Sequence, residues 1–132
     1  MTSARKWRIL VVDDEEHVAR TLKLGLGLRG AYDVRIETKG SRVLATARDF
    51  APDLVVLDLL MPDRRGDDVL RELRADPRFE RVPVLFLTAT PPDAGKNDVR
   101  PDGWIVKPAT AAEIVEHIER RLAAASADLG GA

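Results

Sequence analysis

Five of the 132 residues are of types that can do chemistry together: Asp13, Asp14, Asp58, Thr88 and Lys107. Each stands directly after a short apolar run. Asp13 and Asp14 follow Ile9 to Val12, Asp58 follows Leu54 to Leu57, Thr88 follows Val84 to Leu87, and Lys107 follows Trp104 to Val106. Three carboxylates brought close together repel and raise one another's pKa values, and one ammonium is too little to offset three charges. A hard divalent cation is the natural remedy. Mg²⁺ takes oxygen ligands, keeps several waters and is commonly held by one or two carboxylates with a phosphate oxygen, which fits Asp13, Asp14 and Asp58 around a phosphoryl group. A carboxylate is also a competent nucleophile toward phosphorus, giving an aspartyl phosphate. Asp58 is then the nucleophile, Lys107 the positive charge for the phosphoryl oxygens and Thr88 a hydroxyl donor, because phosphoryl transfer asks mainly for positioning and charge neutralisation.

These side chains meet only if the elements bearing them end at one edge. The four runs are continuously apolar, the pattern of strands buried on both faces. A weaker strand, Asp33 to Glu37, alternates Val34 and Ile36 with polar residues and suits a sheet edge. Helical spacing fills the intervals: Val18, Leu22 and Leu26 within Glu15 to Arg29, with Gly30 as a stop; Val43, Leu44 and Ala47 within Ser41 to Phe50; Val69, Leu70 and Leu73 within Asp67 to Ala75. Thr110 to Glu113 reads as a capping box ahead of the stripe Ile114, Val115, Ile118 and Leu122. The expectation is an α/β fold with a doubly wound, five-stranded parallel sheet of flavodoxin-like order 2-1-3-4-5, whose strands bring their carboxyl ends to a shared ligand-binding edge. One interval breaks the alternation. From Thr88 to Asp102 the chain carries Pro91, Pro92 and Pro101 with little apolar periodicity, so the fourth helix is expected to be shortened or missing. Residues 1–8 read as an N-terminal extension, 9–124 as the domain and 125–132 as a flexible tail.

Composition narrows the partners. The length suits a single domain with one core. A balance of 21 basic and 22 acidic residues, net charge -1, gives no global field toward nucleic acid or an anionic membrane. The absence of cysteine removes disulfides, thiolate metal sites and cysteine nucleophiles, and no run is long enough for a signal-peptide core or a membrane span, so the expectation is a cytoplasmic protein. Plainer roles compete at several positions. Asp13 or Asp14 could cap the following helix, Lys107 could be a solvated lysine, and Trp104 could be simple core packing. His17 and His117 have no partner at metal-ligand spacing and read as surface residues, and Arg71 to Arg81 reads as a solvated face and loop.

Taken together, Val12-Asp13-Asp14, Asp58-Leu-Leu-Met61-Pro62 followed by Gly66, Thr88-Ala89 and Lys107-Pro108 resemble the receiver domain of two-component response regulators, in matching order over essentially the whole chain. The resemblance implies that Asp58 accepts a phosphoryl group from a phosphohistidine on a sensor histidine kinase or a histidine phosphotransfer protein, with Mg²⁺ as cofactor. The metal set it implies is Asp13, Asp14, Asp58 and Leu60, with Asp14 a direct ligand and Asp13 acting through water. Thr88 and Trp104 would form a switch pair, the aromatic repacking as the hydroxyl moves onto the phosphate. The implied function is a phosphorylation-dependent switch and not a turnover enzyme, reading out through a downstream protein or a homodimer and touching neither nucleic acid nor membrane directly. The interval from Thr88 to Lys107 is shorter than the family's, which alters the surface that commonly carries output. Two alternatives remain in the same fold, a phosphorelay intermediate and a pseudo-receiver binding module with an atypical output surface. A phosphatase with an aspartate nucleophile wants a second acid two residues on, and Leu60 stands there.

Overall fold

The alternation of apolar runs and helical stripes resolves, in a computed structural model that describes residues 6–89 and 100–130 (backbone alone for 126–130), into five strands and four helices. The strands are β1 (Trp7–Val12), β2 (Tyr32–Glu37), β3 (Leu54–Asp58), β4 (Val84–Thr88) and β5 (Gly103–Val106); the helices are α1 (Glu16–Gly27), α2 (Val43–Phe50), α3 (Gly66–Ala75) and α4 (Ala111–Gly130), with a 3₁₀ turn at Gly40–Arg42. The sheet is parallel throughout, in the order β2-β1-β3-β4-β5 expected from the sequence. The alternating strand, β2, is at an edge.

Period-2 alternation divides the strand side chains between two apolar layers. Ile9, Val11, Leu54, Val56, Leu85, Leu87 and Ile105 face α1 and α4, meeting Leu22, Leu26, Ile114 and Ile118. Leu10, Val12, Val55, Leu57, Val84 and Phe86 face α2 and α3, meeting Val43, Ala47, Leu70 and Leu73. Each fully buried side chain of this size contributes about 2 kcal/mol, so the two layers fix the strand register and with it the position of every strand end. In α1 the buried stripe is Ala19, Leu22 and Leu26, with Val18 only partly covered. The helix stops as expected near Gly30, whose φ of 73° only glycine adopts without strain.

Several boundaries differ from expectation. Strand β1 begins at Trp7, inside the stretch read as an N-terminal extension, because the Trp7 amide donates to the Ala31 carbonyl at 3.0 Å. At the other end the capping box forms, with the Glu113 amide donating to Thr110 Oγ1 at 3.1 Å and the Thr110 amide to Glu113 Oε1 at 3.4 Å. The helix then continues to Gly130 where a flexible tail is expected from residue 125, since Ala123, Ala124 and Ala125 are the strongest helix formers. The expected loss of the fourth helix falls on residues 90–99, outside the described residues. The segment Arg71 to Arg81 is more than a solvated face: Leu73, Asp76 and Phe79 are buried. Arg74 turns back from α3 to donate to the carbonyls of Phe79 at 2.8 Å, which also accepts the Val82 amide at 3.3 Å, and of Val82 at 2.7 Å.

One further tie sits at the amino ends of β4 and β5. The Asp102 carboxylate accepts from the Val84 amide at 2.8 Å, from Arg74 of α3 at 2.9 Å and from Arg121 of α4 at 3.2 Å.

Candidate functional site

The carboxyl ends of β1, β3, β4 and β5 converge at the opposite edge. Asp58 is the last residue of β3 and Thr88 the last of β4, while Asp13 follows β1 and Lys107 follows β5. Register fixes their relation: Asp58 pairs with Leu87, Thr88 pairs with Val106, and the Lys107 amide donates to the Thr88 carbonyl at 2.7 Å. Asp13, Asp58 and Thr88 are buried, with exposures of 1%, 5% and 1%. Asp14 is exposed.

Charge is concentrated here. Asp13, Asp14 and Asp58 each present a carboxylate oxygen such that the three atoms lie within 4.8 Å of one another. Lys107 Nζ stands 3.6 Å from Asp13 Oδ2 and 3.5 Å from Asp58 Oδ2. Burial, and then the charge of Asp13, push the Asp58 carboxyl up to about 6, against the opposing pull of Lys107 and of the Leu60 amide, which donates to Asp58 Oδ1 at 3.2 Å. Burial works against the charge on Lys107 as well, but the carboxylates of Asp13 and Asp58 outweigh it and hold the ammonium above its ordinary value. The lysine therefore stays protonated, and one cation faces a cluster of carboxylates.

The cluster fits a hard cation on its own evidence. Asp13 Oδ1 accepts the Glu15 amide at 3.0 Å, a turn contact ahead of α1 and not a helix cap, because Glu15 is the cap residue and the helix has no side-chain capping bond; the buried Asp13 Oδ2 has no hydrogen-bond donor among the described residues. The positive charge near that oxygen is the Lys107 ammonium at 3.6 Å, which it shares with Asp58, so the cluster holds more negative charge than the lysine offsets. Oxygen-only donors and two strongly buried carboxylates are the ligand chemistry of Mg²⁺ rather than of zinc or copper. Leu60 offers no side-chain donor, and its carbonyl oxygen is the one atom with which it can ligate.

The loop from β3 into α3 is built close to Asp58. A Cβ on Gly66 would sit 2.8 Å from the Asp58 carbonyl oxygen and 2.8 Å from Leu59 Cα, and the Gly66 amide donates to the Leu59 carbonyl at 2.7 Å. Only glycine lets α3 start there. The same loop is tied to the segment after β2, where Asp63 accepts the Gly40 amide at 3.1 Å and the Ser41 amide at 3.0 Å. Sequence reasoning passes over Asp63; an aspartate after Met61-Pro62 signals a local turn, and its distant partners are invisible from that.

Trp104 lies back from the cluster. Its ring meets Phe86 edge-on, with centroids 5.1 Å apart and planes at 83°, on the α2 and α3 side of the sheet. Phe86 and Thr88 are two apart on β4 and so share a face, which makes the threonine and the tryptophan neighbours through one phenyl ring. Leu60 is half exposed beside Asp58. His17 is exposed and His117 partly buried, and neither joins a metal-ligating cluster among the described residues.

Comparison with known proteins agrees with this arrangement. The family profile described as response regulator receiver domain matches residues 9–119. The DNA-binding response regulator MtrA of Mycolicibacterium smegmatis is 37% identical over 123 residues, covering 87% of this chain and 50% of MtrA. The chain thus spans about half the length of the curated relatives it matches. Among solved structures, the chemotaxis response regulator CheY4 of Vibrio cholerae superposes with a TM-score of 0.79 at 24% identity, covering 87% of this chain and 98% of that one, a likeness of fold. The signal receiver domain of a signal transduction histidine kinase from Syntrophus aciditrophicus gives a TM-score of 0.78 at 28% identity, covering 89% and 91% of the two chains. Fold, profile and sequence identity coincide over the stretch that carries the acidic cluster, and the chain belongs to the response regulator receiver domains of two-component signalling.

Proposed function

We propose that the chain is a phosphorylation-dependent switch in which Asp58 takes up a phosphoryl group from a phosphohistidine of a sensor histidine kinase or histidine phosphotransfer protein. A carboxylate oxygen of Asp58 attacks phosphorus, the P–O bond forms as the P–N bond breaks, and the imidazole leaves with the electron pair and takes up a proton. Asp13, Asp14 and Asp58, with the Leu60 carbonyl, would hold Mg²⁺, which supplies neutralising charge to the phosphoryl oxygens when bound. Lys107 supplies the protein's own positive charge from the other side, and its raised pKa keeps that charge in place. The Thr88 hydroxyl turns onto the phosphoryl oxygen, and Trp104 repacks against Phe86 as it does so.

The observation that carries the reading is the acidic cluster itself, with the buried Asp13 Oδ2 lacking a donor and Lys107 about equally far from Asp13 and Asp58. Receiver domains act as signalling switches rather than as classical enzymes, and an apolar residue at position 60 leaves this one without the second acid a phosphatase uses. MtrA is named as DNA-binding. For the residues of this chain a balanced charge supports protein contacts instead, within the cytoplasm. No described helix is long and apolar enough to cross a membrane.

The test is addition of acetyl phosphate or beryllofluoride with Mg²⁺ to a Trp7→Phe background, following Trp104 fluorescence and intact mass. With acetyl phosphate the wild-type site gains one phosphoryl mass as acetate leaves, and with either reagent its fluorescence changes, in each case only with Mg²⁺, and Asp58→Asn does neither. A chain that shows no Mg²⁺-dependent change would be a pseudo-receiver.

A further inference from the structure

Strand β2 pairs with β1 on one side alone, so along Tyr32–Glu37 its outer backbone N–H and C=O groups face a groove. The groove, about 1120 Å³, runs between a wall from α1 and a wall from α2 and the turn before it. Exposed edges are usually blunted by charged side chains. Here most of those charges are already committed. Arg35 pairs with Asp49 at 2.6 Å and Glu16 with Arg20 at 2.7 Å. Glu37 accepts the Thr46 hydroxyl at 2.6 Å and the Thr38 and Lys39 amides at 2.9 and 3.0 Å. What remains is a cation on each wall. Lys23 on α1 and Arg42 on the opposite wall have no hydrogen-bond or ion-pair partner among the described residues, against Asp33 as the one lining acid left in the same state. Leu24, 71% exposed, lies beside Lys23 on the α1 wall.

We propose that this groove takes up an extended acidic segment of a partner protein as an added strand on β2. Successive side chains of an extended segment point to opposite faces. Two adjacent acidic residues therefore reach Lys23 and Arg42 on opposite walls, and an apolar residue two positions from the first lies on the α1 side against Leu24. Backbone pairing supplies affinity and the two walls supply selectivity, as in other strand-addition interfaces. A second copy of the chain fits less well, because β2 itself alternates Asp33, Arg35 and Glu37 and offers no two adjacent acidic residues.

The proposal is tested with the capped peptide Thr-Val-Glu-Glu-Val-Thr and its Lys-Lys counterpart, reading affinity by titration and protection of the β2 amides by hydrogen exchange. The acidic peptide is expected to bind, to protect Tyr32–Glu37, and to bind at least tenfold more weakly to Lys23→Glu/Arg42→Glu, whose exposed positions leave the melting temperature unchanged. The Lys-Lys peptide is expected not to bind. Absence of β2 protection, equal binding to the double variant, equal binding of the two peptides, or a concentration-dependent dimer that protects β2 without peptide would each overturn it.

Discussion

At Asp58 the surroundings resist the charge that the proposed phosphoryl transfer needs. Its carboxyl is pushed up to about 6, by burial first and by Asp13 second, from an ordinary value of 3.8. In the window between those values the folded chain binds a proton more tightly than the unfolded one, so this group's contribution to stability is fully present below about pH 4 and is lost as pH rises through about 6. Urea denaturation without Mg²⁺ is expected to show that fall, and Asp58→Asn to remove it, leaving the variant more stable at pH 7 by up to about 3 kcal/mol. Added Mg²⁺ narrows the difference. Leu60 governs a separate property. Its apolar side chain, half exposed next to Asp58, does not activate water, so the phosphoprotein is expected to lose its phosphoryl group slowly. Leu60→Asn is expected to shorten that lifetime in a mass-spectrometric decay series, and an unchanged lifetime would remove Leu60 from the account.

Among the elements, the loop between β3 and α3 is where Asp58 and the packing share atoms. Gly66→Ala brings a methyl group to 2.8 Å from backbone atoms of Asp58 and Leu59, a contact that no side-chain rotation relieves. The expected cost is about 1–3 kcal/mol in denaturant unfolding, with a weaker phosphoryl uptake because Asp58 itself must shift. The strand ends were open to sequence reasoning because buried parallel strands announce themselves as unbroken apolar runs, and the residue after each run is then fixed in space. Asp13, Asp14, Asp58 and Lys107 needed no more than that to be brought together. Asp63 with Gly40, and Asp102 with Arg74 and Arg121, were not open to it. Those contacts join segments far apart in the chain, and their geometry exists only once both apolar layers have set the loops in place. Helix α4 outran its expected end for a related reason, since a small-residue run reads as a weak stripe while its backbone propensity favours helix.

For the whole molecule, the two ends of the sheet differ in how they are held. At the amino ends Asp102 binds β4, α3 and α4 together through the Val84 amide and two guanidinium groups. Asp102→Ala is expected to lower stability by about 2 kcal/mol in urea denaturation, from the Val84 amide left without its acceptor and the ties lost to Arg74 and Arg121, while Mg²⁺ titration of the acidic cluster gives the wild-type affinity. At the carboxyl ends, Lys107 ties β5 to β1 and β3 through Asp13 at 3.6 Å and Asp58 at 3.5 Å, the same charges that make up the site. Strands β4 and β5 are thus moored at both ends, by Asp102 at one and by Lys107 with its two carboxylates at the other, and only the second mooring lies within the acidic cluster. On the proposed switch, a phosphoryl group on Asp58 would compete for the Lys107 mooring and leave the Asp102 mooring alone, so a partner touching the carboxyl ends is expected to sense the loaded state, whereas one seated near Asp102 is expected to see the same protein in either state.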